Sequence, residues 1–223
     1  MGKRLIYTYL TDEEDCQKRH RSKLYFYVDA ESFPVVRITP LILNLIQELP
    51  SKLDDALEKK IPVIVFCDNY SVICAVKKGG EKYSFLDGWN GLYGHDAAMY
   101  VDGLHRLHGL EAKKMKKDNP THCINNLIEL MSTEDLYDIN DPIFKDHGPN
   151  EKFDYREQIL CFYMLKFLEE HFKVIQDETG KKIEEIAIWP VFNDKTAFKE
   201  RILLYSEELE DIKFNFLELD LPE

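Results

Sequence analysis

The run Ile61-Pro62-Val63-Ile64-Val65-Phe66-Cys67 is continuously apolar and rich in β-branched residues. Its length and composition are those of a strand buried on both faces, which is typical of a parallel sheet. Residues 24–28 form a second run of this kind, aromatic and β-branched, and predict another buried strand that ends at Asp29. These two runs set the expectation of an α/β protein.

The segments around these runs alternate between strand and helix patterns. Thr39-Pro40 predicts a helix start, with threonine as N-cap and proline at the first helical position, and Pro50 predicts a kink in that helix or its division into two shorter helices. Lys77-Lys78-Gly79-Gly80-Glu81 predicts the turn of a hairpin between strands at 72–76 and 83–86. Further strands are predicted at 33–38, 185–191 and 213–219, and further helices at 95–110, 121–131, 155–174 and 195–209.

This order predicts one α/β domain over residues 1–223, with a three-layer, mainly parallel sheet, flanking helices and a β-hairpin. No strand is predicted between residues 111 and 184, so we expect a helical insertion there. The five cysteines are odd in number, and Cys67, Cys123 and Cys161 sit in apolar runs. These three are therefore expected to be buried hydrophobic residues rather than disulfides or metal ligands, which fits a reducing, cytoplasmic setting. No apolar stretch is long enough for a membrane span, and no secretory signal is recognisable.

Acidic residues outnumber basic ones by 41 to 29, which gives a formal net charge of −12. A field of that sign repels nucleic acid and argues against a general nucleic-acid-coating protein. Two local basic tracks run against this balance, one at residues 18–23 and one that includes Lys113 and Lys114. Each track would guide a nucleic-acid strand in an enzyme, or form an ordinary solvated face.

Several acidic residues follow predicted strands or begin a predicted helix. Asp29 ends the first strand, Asp96 opens the helix at 95–110, and Asp194 follows the strand at 185–191, with Asp68 as a possible fourth acid. Ligands of open α/β sheets bind beyond the carboxyl ends of the strands, and carboxylates there suit Mg²⁺ or Mn²⁺. The alternatives are a backbone acceptor for Asp29, a first-turn acid for Asp96 and a turn or cap residue for Asp194.

A glycine-rich loop with the spacing Gly88-x-x-Gly91-x-x-Gly94 precedes the predicted helix. Its backbone N–H groups could cradle a phosphate, although it lacks the lysine of a P-loop. Trp89 and Tyr93 could stack on a base, or pack the loop onto the protein. His95 could serve as a general acid or base near neutral pH, or belong to a solvated polar face.

Three short segments resemble PIN-like nucleases of the NYN class. Tyr27-Val28-Asp29-Ala30-Glu31-Ser32 resembles the first-strand signature of that family, and the segment from Gly94 to Asp102 resembles its helix motif. In the third segment, Asn193-Asp194 stands where the family has S-G-D-x-D-F. The resemblance implies that Asp29, Asp96 and Asp194 bind a divalent metal.

The leading hypothesis is a metal-dependent phosphodiesterase that cleaves RNA or another nucleic acid with Mg²⁺ or Mn²⁺. Its catalytic residues would be Asp29, Asp96, Asp194 and His95, and its substrate would contact Trp89, Tyr93, Lys113 and Lys114. The first alternative is a non-catalytic acidic protein that binds a basic protein partner, as an inhibitor or immunity factor does. The second alternative is binding or hydrolysis of a small nucleotide at the 88–95 loop.

Overall fold

Two units make up the chain, one ending at Glu48 and the other beginning at Leu49. The computed structural model describes residues 18–136, 139–144, 155–192, 195–209 and 211–218. The described part is a mixed α/β structure with six α-helices, a six-stranded mixed sheet, a three-stranded sheet and a separate β-hairpin.

The first unit contains an antiparallel hairpin of strands β1 (Arg21–Val28) and β2 (Pro34–Leu41). The short helix α1 (Asn44–Gln47) follows. The prediction of a buried strand at 24–28 is wrong in its burial, because every residue of β1 is exposed. The helix start predicted at Thr39-Pro40 is also wrong, since both residues pair with β1. Proline is compatible with this strand because the strand lies at the edge of a two-stranded sheet.

In the second unit, a six-stranded sheet has the order β11-β10-β3-β4-β5, with β6 also paired to β4. Strand β3 is parallel to β10, which is parallel to β11, whereas β3, β4, β5 and β6 pair antiparallel. The sheet is therefore mixed rather than mainly parallel. Its strands are β3 (Val63–Cys67), β4 (Tyr70–Val76), β5 (Tyr83–Phe85), β6 (His95–Asp96), β10 (Glu185–Pro190) and β11 (Lys213–Phe216).

The helix predicted at 95–110 is wrong, because this segment forms strands. After β6 come β7 (Met99–Asp102) and β8 (His105–His108), which pair antiparallel, and β7 also pairs with β9 (Cys123–Ile124). Gly103 takes φ +57° in the two-residue loop between β7 and β8. Glycine at the first position of such a loop is a preference of type II′ hairpin turns. Gly103, the first residue of the Gly103-Leu104 loop, was therefore the local signal that outweighed the helical spacing.

The remaining helices are α2 (Leu49–Ala56), α3 (Gly109–Met115), α4 (Leu127–Ser132), α5 (Tyr155–Thr179) and α6 (Thr196–Ser206). The predicted break near Pro50 is confirmed: one helix ends at Gln47, and the next places Pro50 in its first turn. A proline there loses no intrahelical hydrogen bond. The long helix α5 contributes Leu160, Met164, Phe167 and Ile175 to the core cluster.

Arg201 ties three helices together inside the second unit. Its guanidinium forms an ion pair with Glu157 of α5 at 2.6 Å. It also donates to the carbonyls of Met131 and Thr133, at the end of α4, over 2.9 and 2.6 Å. Arg201 is only 8% exposed, so these bonds satisfy a charge that would otherwise be costly to bury.

The cysteines of the described segments are free thiols, with Cys67, Cys74 and Cys123 buried and Cys161 half-buried. Burial is the main cause that raises the pKa of the Cys123 and Cys161 thiols to about 11. Within the described residues, no helix has the length and apolar character needed to cross a bilayer.

Candidate functional site

Asp29 stabilises the turn of the hairpin. Its Oδ1 accepts hydrogen bonds from the backbone N–H groups of Glu31 and Phe33, both at 2.9 Å. The Asp29 backbone also pairs with Phe33 and Ser32 across the turn. These bonds give the carboxylate the backbone-acceptor role that was the alternative to metal binding.

Asp96 lies in strand β6, opposite Tyr70 of β4, and not at a helix start. Its carboxylate forms an ion pair with Lys113, over 2.7 Å. The predicted metal ligand and the predicted substrate-binding lysine are therefore each other's counterions. Lys114, the second predicted basic contact, is exposed on helix α3.

The third predicted ligand, Asp194, lies outside the described residues. Across the described ranges, no three His, Cys, Asp or Glu side chains are grouped so that they could hold a metal ion. The metal site built from Asp29, Asp96 and Asp194 therefore stays a prediction.

The 88–95 loop folds onto a carboxylate of the protein itself. Glu178, near the end of α5, accepts hydrogen bonds from the backbone N–H groups of Asp87 and Gly88, at 3.2 and 2.6 Å. Lys77 forms ion pairs with both Asp87 and Glu178, at 2.6 and 3.2 Å. The Glu178 carboxylate thus already accepts from two N–H groups at the start of this loop, and nucleotide binding there stays a prediction.

Trp89 is fully buried below this loop, while Tyr93 is half-buried in the following 3-10 turn. The indole ring stacks on His108 with ring centroids 4.8 Å apart, and contacts His95 edge-on at 4.9 Å. In this position Trp89 packs the loop onto the core, which was the alternative to base stacking.

A buried polar chain connects Trp89 to helix α5. The indole Nε1–H donates to Ser71 Oγ at 3.1 Å, Ser71 Oγ lies 2.8 Å from His171 Nε2, and His171 Nδ1 lies 2.6 Å from the carbonyl of Phe167. A carbonyl can only accept, so Nδ1 carries the proton and Nε2 accepts from the Ser71 hydroxyl. Every polar atom in this chain then has a partner.

The Ser71–His171 pair has the geometry of an activated nucleophile and its base, but not the access. Both residues are 0% exposed, so no substrate can reach the hydroxyl. Burial lowers the pKa of His171 to about 3, which keeps the ring neutral. Sequence reasoning missed both residues; the only signal was one histidine on the apolar stripe of α5, which usually marks a satisfied core group.

His95 and His108 border this chain, with their rings 4.9 Å apart. Burial, reinforced by the nearby His108, lowers the pKa of His95 to about 4 despite the opposing charge of Asp96. Burial also lowers the pKa of His108. His95 is therefore neutral near pH 7 and, lying against Trp89, belongs to the packed interior of the loop.

Gly94 makes this packing possible. Its φ of +65° is in the left-handed region, and a Cβ at this position would lie 2.7 Å from a side-chain carbon of Val72. The same Cβ would also overlap the carbonyl group of Ser71. Only glycine allows β6 to approach β4 this closely.

One face of the β1–β2 hairpin is an exposed apolar surface. Alternate residues of a strand point to opposite faces, so the pairing register defines which residues share this face. The register pairs Leu24 with Ile38, Phe26 with Val36 and Val28 with Pro34. We call this set, with Ser22 and Pro40, the apolar face. Leu24, Phe26 and Val28 are 62%, 70% and 62% exposed.

The opposite side of the hairpin, which we call the basic face, has a different character. It contains Arg21, Lys23 and Arg37 together with Tyr25 and Tyr27. The ammonium group of Lys23 lies 5.1 Å from the centre of the Tyr25 ring. The hairpin is therefore amphipathic, with its cationic side chains on one side and an uncharged apolar surface on the other.

The chain matches no protein-family model, and no curated protein is significantly similar to it in sequence.

Proposed function

We propose that this chain is a non-catalytic interaction protein in which the apolar faces of two hairpins, one from each of two copies, pack against each other. The single observation that carries this proposal is the exposure of Leu24, Phe26 and Val28 side by side on a face with no charged residue. Contiguous exposed apolar surface of this kind marks interaction sites in soluble proteins.

The size of the face fits a weak, reversible contact. Eight residues per strand, at about 3.4 Å each, and two strands of about 4.8 Å width each give a face of about 260 Å². Covering two such faces removes about 520 Å² from water, worth about 13 kcal/mol at 25 cal/mol/Å². Association itself costs about 4 to 15 kcal/mol, so we expect a dissociation constant in the micromolar range or weaker.

A second copy suits this face because the contact buries no charge. Arg21, Lys23 and Arg37 all point away from the apolar face, so stacking two hairpins does not bring like charges together. A two-stranded hairpin is also marginally stable alone, and gains stability when further strands or another layer cover it. A two-fold axis between the copies makes the same face serve both partners.

The charge distribution favours protein contact over a general nucleic-acid contact. Residues 18–41 contain five lysines and arginines against two acidic residues, whereas the whole chain carries −12. The hairpin is thus a basic element attached to an acidic protein, and its cationic side chains lie on the face that the proposed contact leaves uncovered. The basic protein partner expected from the net charge would need a different, acidic surface and stays a prediction.

The test is sedimentation velocity of the full chain over a range of concentrations, on wild type and two matched double variants. Leu24→Ser/Phe26→Ser alters the apolar face, and Tyr25→Ser/Tyr27→Ser makes a comparable change on the basic face. Phe26 alone should contribute about 2 kcal/mol per copy, or about 4 kcal/mol per dimer, so the apolar-face variant should dimerise about a thousandfold more weakly.

The basic-face variant should dimerise like wild type. The proposal is overturned if wild type stays monomeric into the high micromolar range, or if both double variants lose association equally. It is also overturned if the monomer binds labelled single-stranded RNA and Arg37→Ala removes that binding, because the hairpin would then serve the predicted nucleic-acid partner. Circular dichroism of each variant checks that the fold is retained.

A further inference from the structure

A cleft of about 440 Å³ opens on the second unit, and Gly103 of the β7–β8 turn is one of the residues that line it. The end of β7, the turn that precedes β9, the 3-10 turn Pro142–Phe144 and the first two turns of α5 form its walls. A volume of this size is within the range of small-ligand sites.

The floor of the cleft is apolar and ordered by the core. Val101, Ile143 and Tyr163 are 7%, 4% and 6% exposed and form part of the main hydrophobic cluster. Burial raises the pKa of Tyr163 above its ordinary value, so its hydroxyl remains protonated at neutral pH. A protonated phenol can both donate and accept a hydrogen bond.

The rim supplies flat rings and a few polar groups. Phe162 is 44% exposed on α5 and packs edge-on against Tyr163, with ring centroids 5.6 Å apart. In the turn that precedes β9, Thr121 Oγ1 lies 3.2 Å from His122 Nδ1. Gln158 adds an amide, one turn of α5 before Phe162.

The charge of the cleft excludes one large class of ligand. None of the described residues that line it is a lysine, arginine, aspartate or glutamate. The Lys166 ammonium group lies 5.8 Å from the centre of the Phe162 ring, but it is paired with Glu169 over 2.6 Å. A phosphate or carboxylate group would find no lysine or arginine among the described lining residues and would enter at a considerable cost in desolvation. Aromatic faces beside an amide, a hydroxyl and an imidazole instead suit a planar ring with hydrogen-bonding edges.

We propose that this cleft binds an uncharged planar heteroaromatic ring, of the class of a nucleobase or an unphosphorylated nucleoside. The ring stacks on the exposed Phe162 side chain, and its polar edge bonds to Gln158 and the Thr121–His122 pair. The site is independent of the hairpin, so it stands whether or not two copies associate.

Isothermal titration calorimetry of the full chain with adenosine, uridine and adenosine monophosphate tests this proposal. At least one nucleoside should bind with a dissociation constant below about 1 mM, and the monophosphate should bind adenosine's site at least tenfold more weakly than adenosine. Phe162→Ala and Gln158→Ala should each weaken nucleoside binding at least fivefold.

Leu203→Ala is the matched control, because Leu203 is an exposed apolar side chain on α6, outside the cleft. It should bind the nucleosides like wild type. The absence of binding by both nucleosides at millimolar concentration would overturn the proposal, as would equal affinity for the monophosphate or unchanged affinity in both cleft variants. Thermal unfolding of each variant confirms that loss of binding is not loss of fold.

Discussion

Mild acid should destabilise this protein through its buried histidines. Burial lowers the pKa of His171 to about 3 and that of His95 to about 4, whereas both would titrate near 6.5 in the unfolded chain. Between these values the unfolded chain binds more protons than the folded one. Stability is therefore highest above about pH 6.5 and falls as the pH drops toward the folded-state values.

The size of the effect follows from the same pKa values. At about pH 5, each neutral buried histidine favours the unfolded state by about 2 kcal/mol relative to pH 7.5, since each pH unit below 6.5 contributes about 1.4 kcal/mol. His171 and His95 together should cost about 4 kcal/mol, and His108 adds to this in the same direction. Small domains have only about 5 to 15 kcal/mol in total, so the loss should be easy to measure.

Carboxylates do not obscure this window. Hydrogen bonding to Lys59 and Asn215 lowers the pKa of Glu185 to about 2, so its contribution is present above its unfolded value of about 4.5 and is lost only below it. The groups near the histidines are Asp96, Glu111, Glu170 and Lys173. The first three raise the histidine pKa values and Lys173 lowers one of them, and all are included in the net downward shifts.

Urea unfolding followed by circular dichroism at several pH values between about 5 and 7.5 measures this dependence. His171→Gln should reduce the pH-dependent loss by about 2 kcal/mol, whatever its effect on absolute stability. His105→Asn, a change at an exposed histidine of β8, should keep the wild-type pH dependence. Equal stability at both ends of the range, or an unchanged slope in His171→Gln, would refute the assignment of neutral buried histidines.

Two further outcomes are expected. Gly94→Ala should lower the free energy of unfolding by at least about 3 kcal/mol, because it adds a clash with β4 to the cost of a left-handed backbone. Gly103→Ala should lower it by about 1 kcal/mol, since nothing lies within 4 Å of the added methyl group. Thermal unfolding of both variants measures the difference. Millimolar Mn²⁺ should leave the melting temperature of wild type unchanged, because Lys113 already neutralises Asp96; a rise that disappears in Asp96→Asn would restore the predicted metal site.

Much of the sheet could be predicted from local pattern alone. The apolar run of β3, the hairpin between β4 and β5, and the strand at β10 were each predicted within a few residues. These strands are buried or bounded by turn residues, so that pattern and environment agree. The antiparallel pairing of β3 with β4 follows from the very short Asp68-Asn69 connection, which cannot accommodate a parallel crossover.

The 95–110 segment shows why the rest could not be predicted in this way. Its spacing of apolar residues fits a helix, yet the glycine turn at Gly103 and the pairing of Met99 and Tyr100 with β9 produce a sheet. The partner strand is only two residues long and lies more than twenty residues away. A short window of sequence does not contain the partner strand and so cannot predict that pairing. For this reason the prediction that Asp96 begins a helix was wrong.

The candidate site was harder still to infer, because its features arise from tertiary contacts. Glu178 accepts hydrogen bonds from loop N–H groups that are about ninety residues away in the sequence, and Ser71 is a hundred residues away from His171 in the sequence. The aromatic character of residues 24–28 correctly indicated a strand. It did not indicate how many other strands would pack around that strand. Burial depends on that number, so an exposed hairpin and a core strand look alike in sequence.

The composition of β1 also has a practical consequence for the purified protein. Leu24-Tyr25-Phe26-Tyr27-Val28 combines high β-propensity with no charge, which is the sequence signature of segments that stack into fibrils. Arg21 and Lys23 before it, and Pro34 and Pro40 on the neighbouring strand, act as gatekeepers against such stacking. Their protection is partly electrostatic, so concentrated stocks should keep longer in low-salt buffer than in high salt.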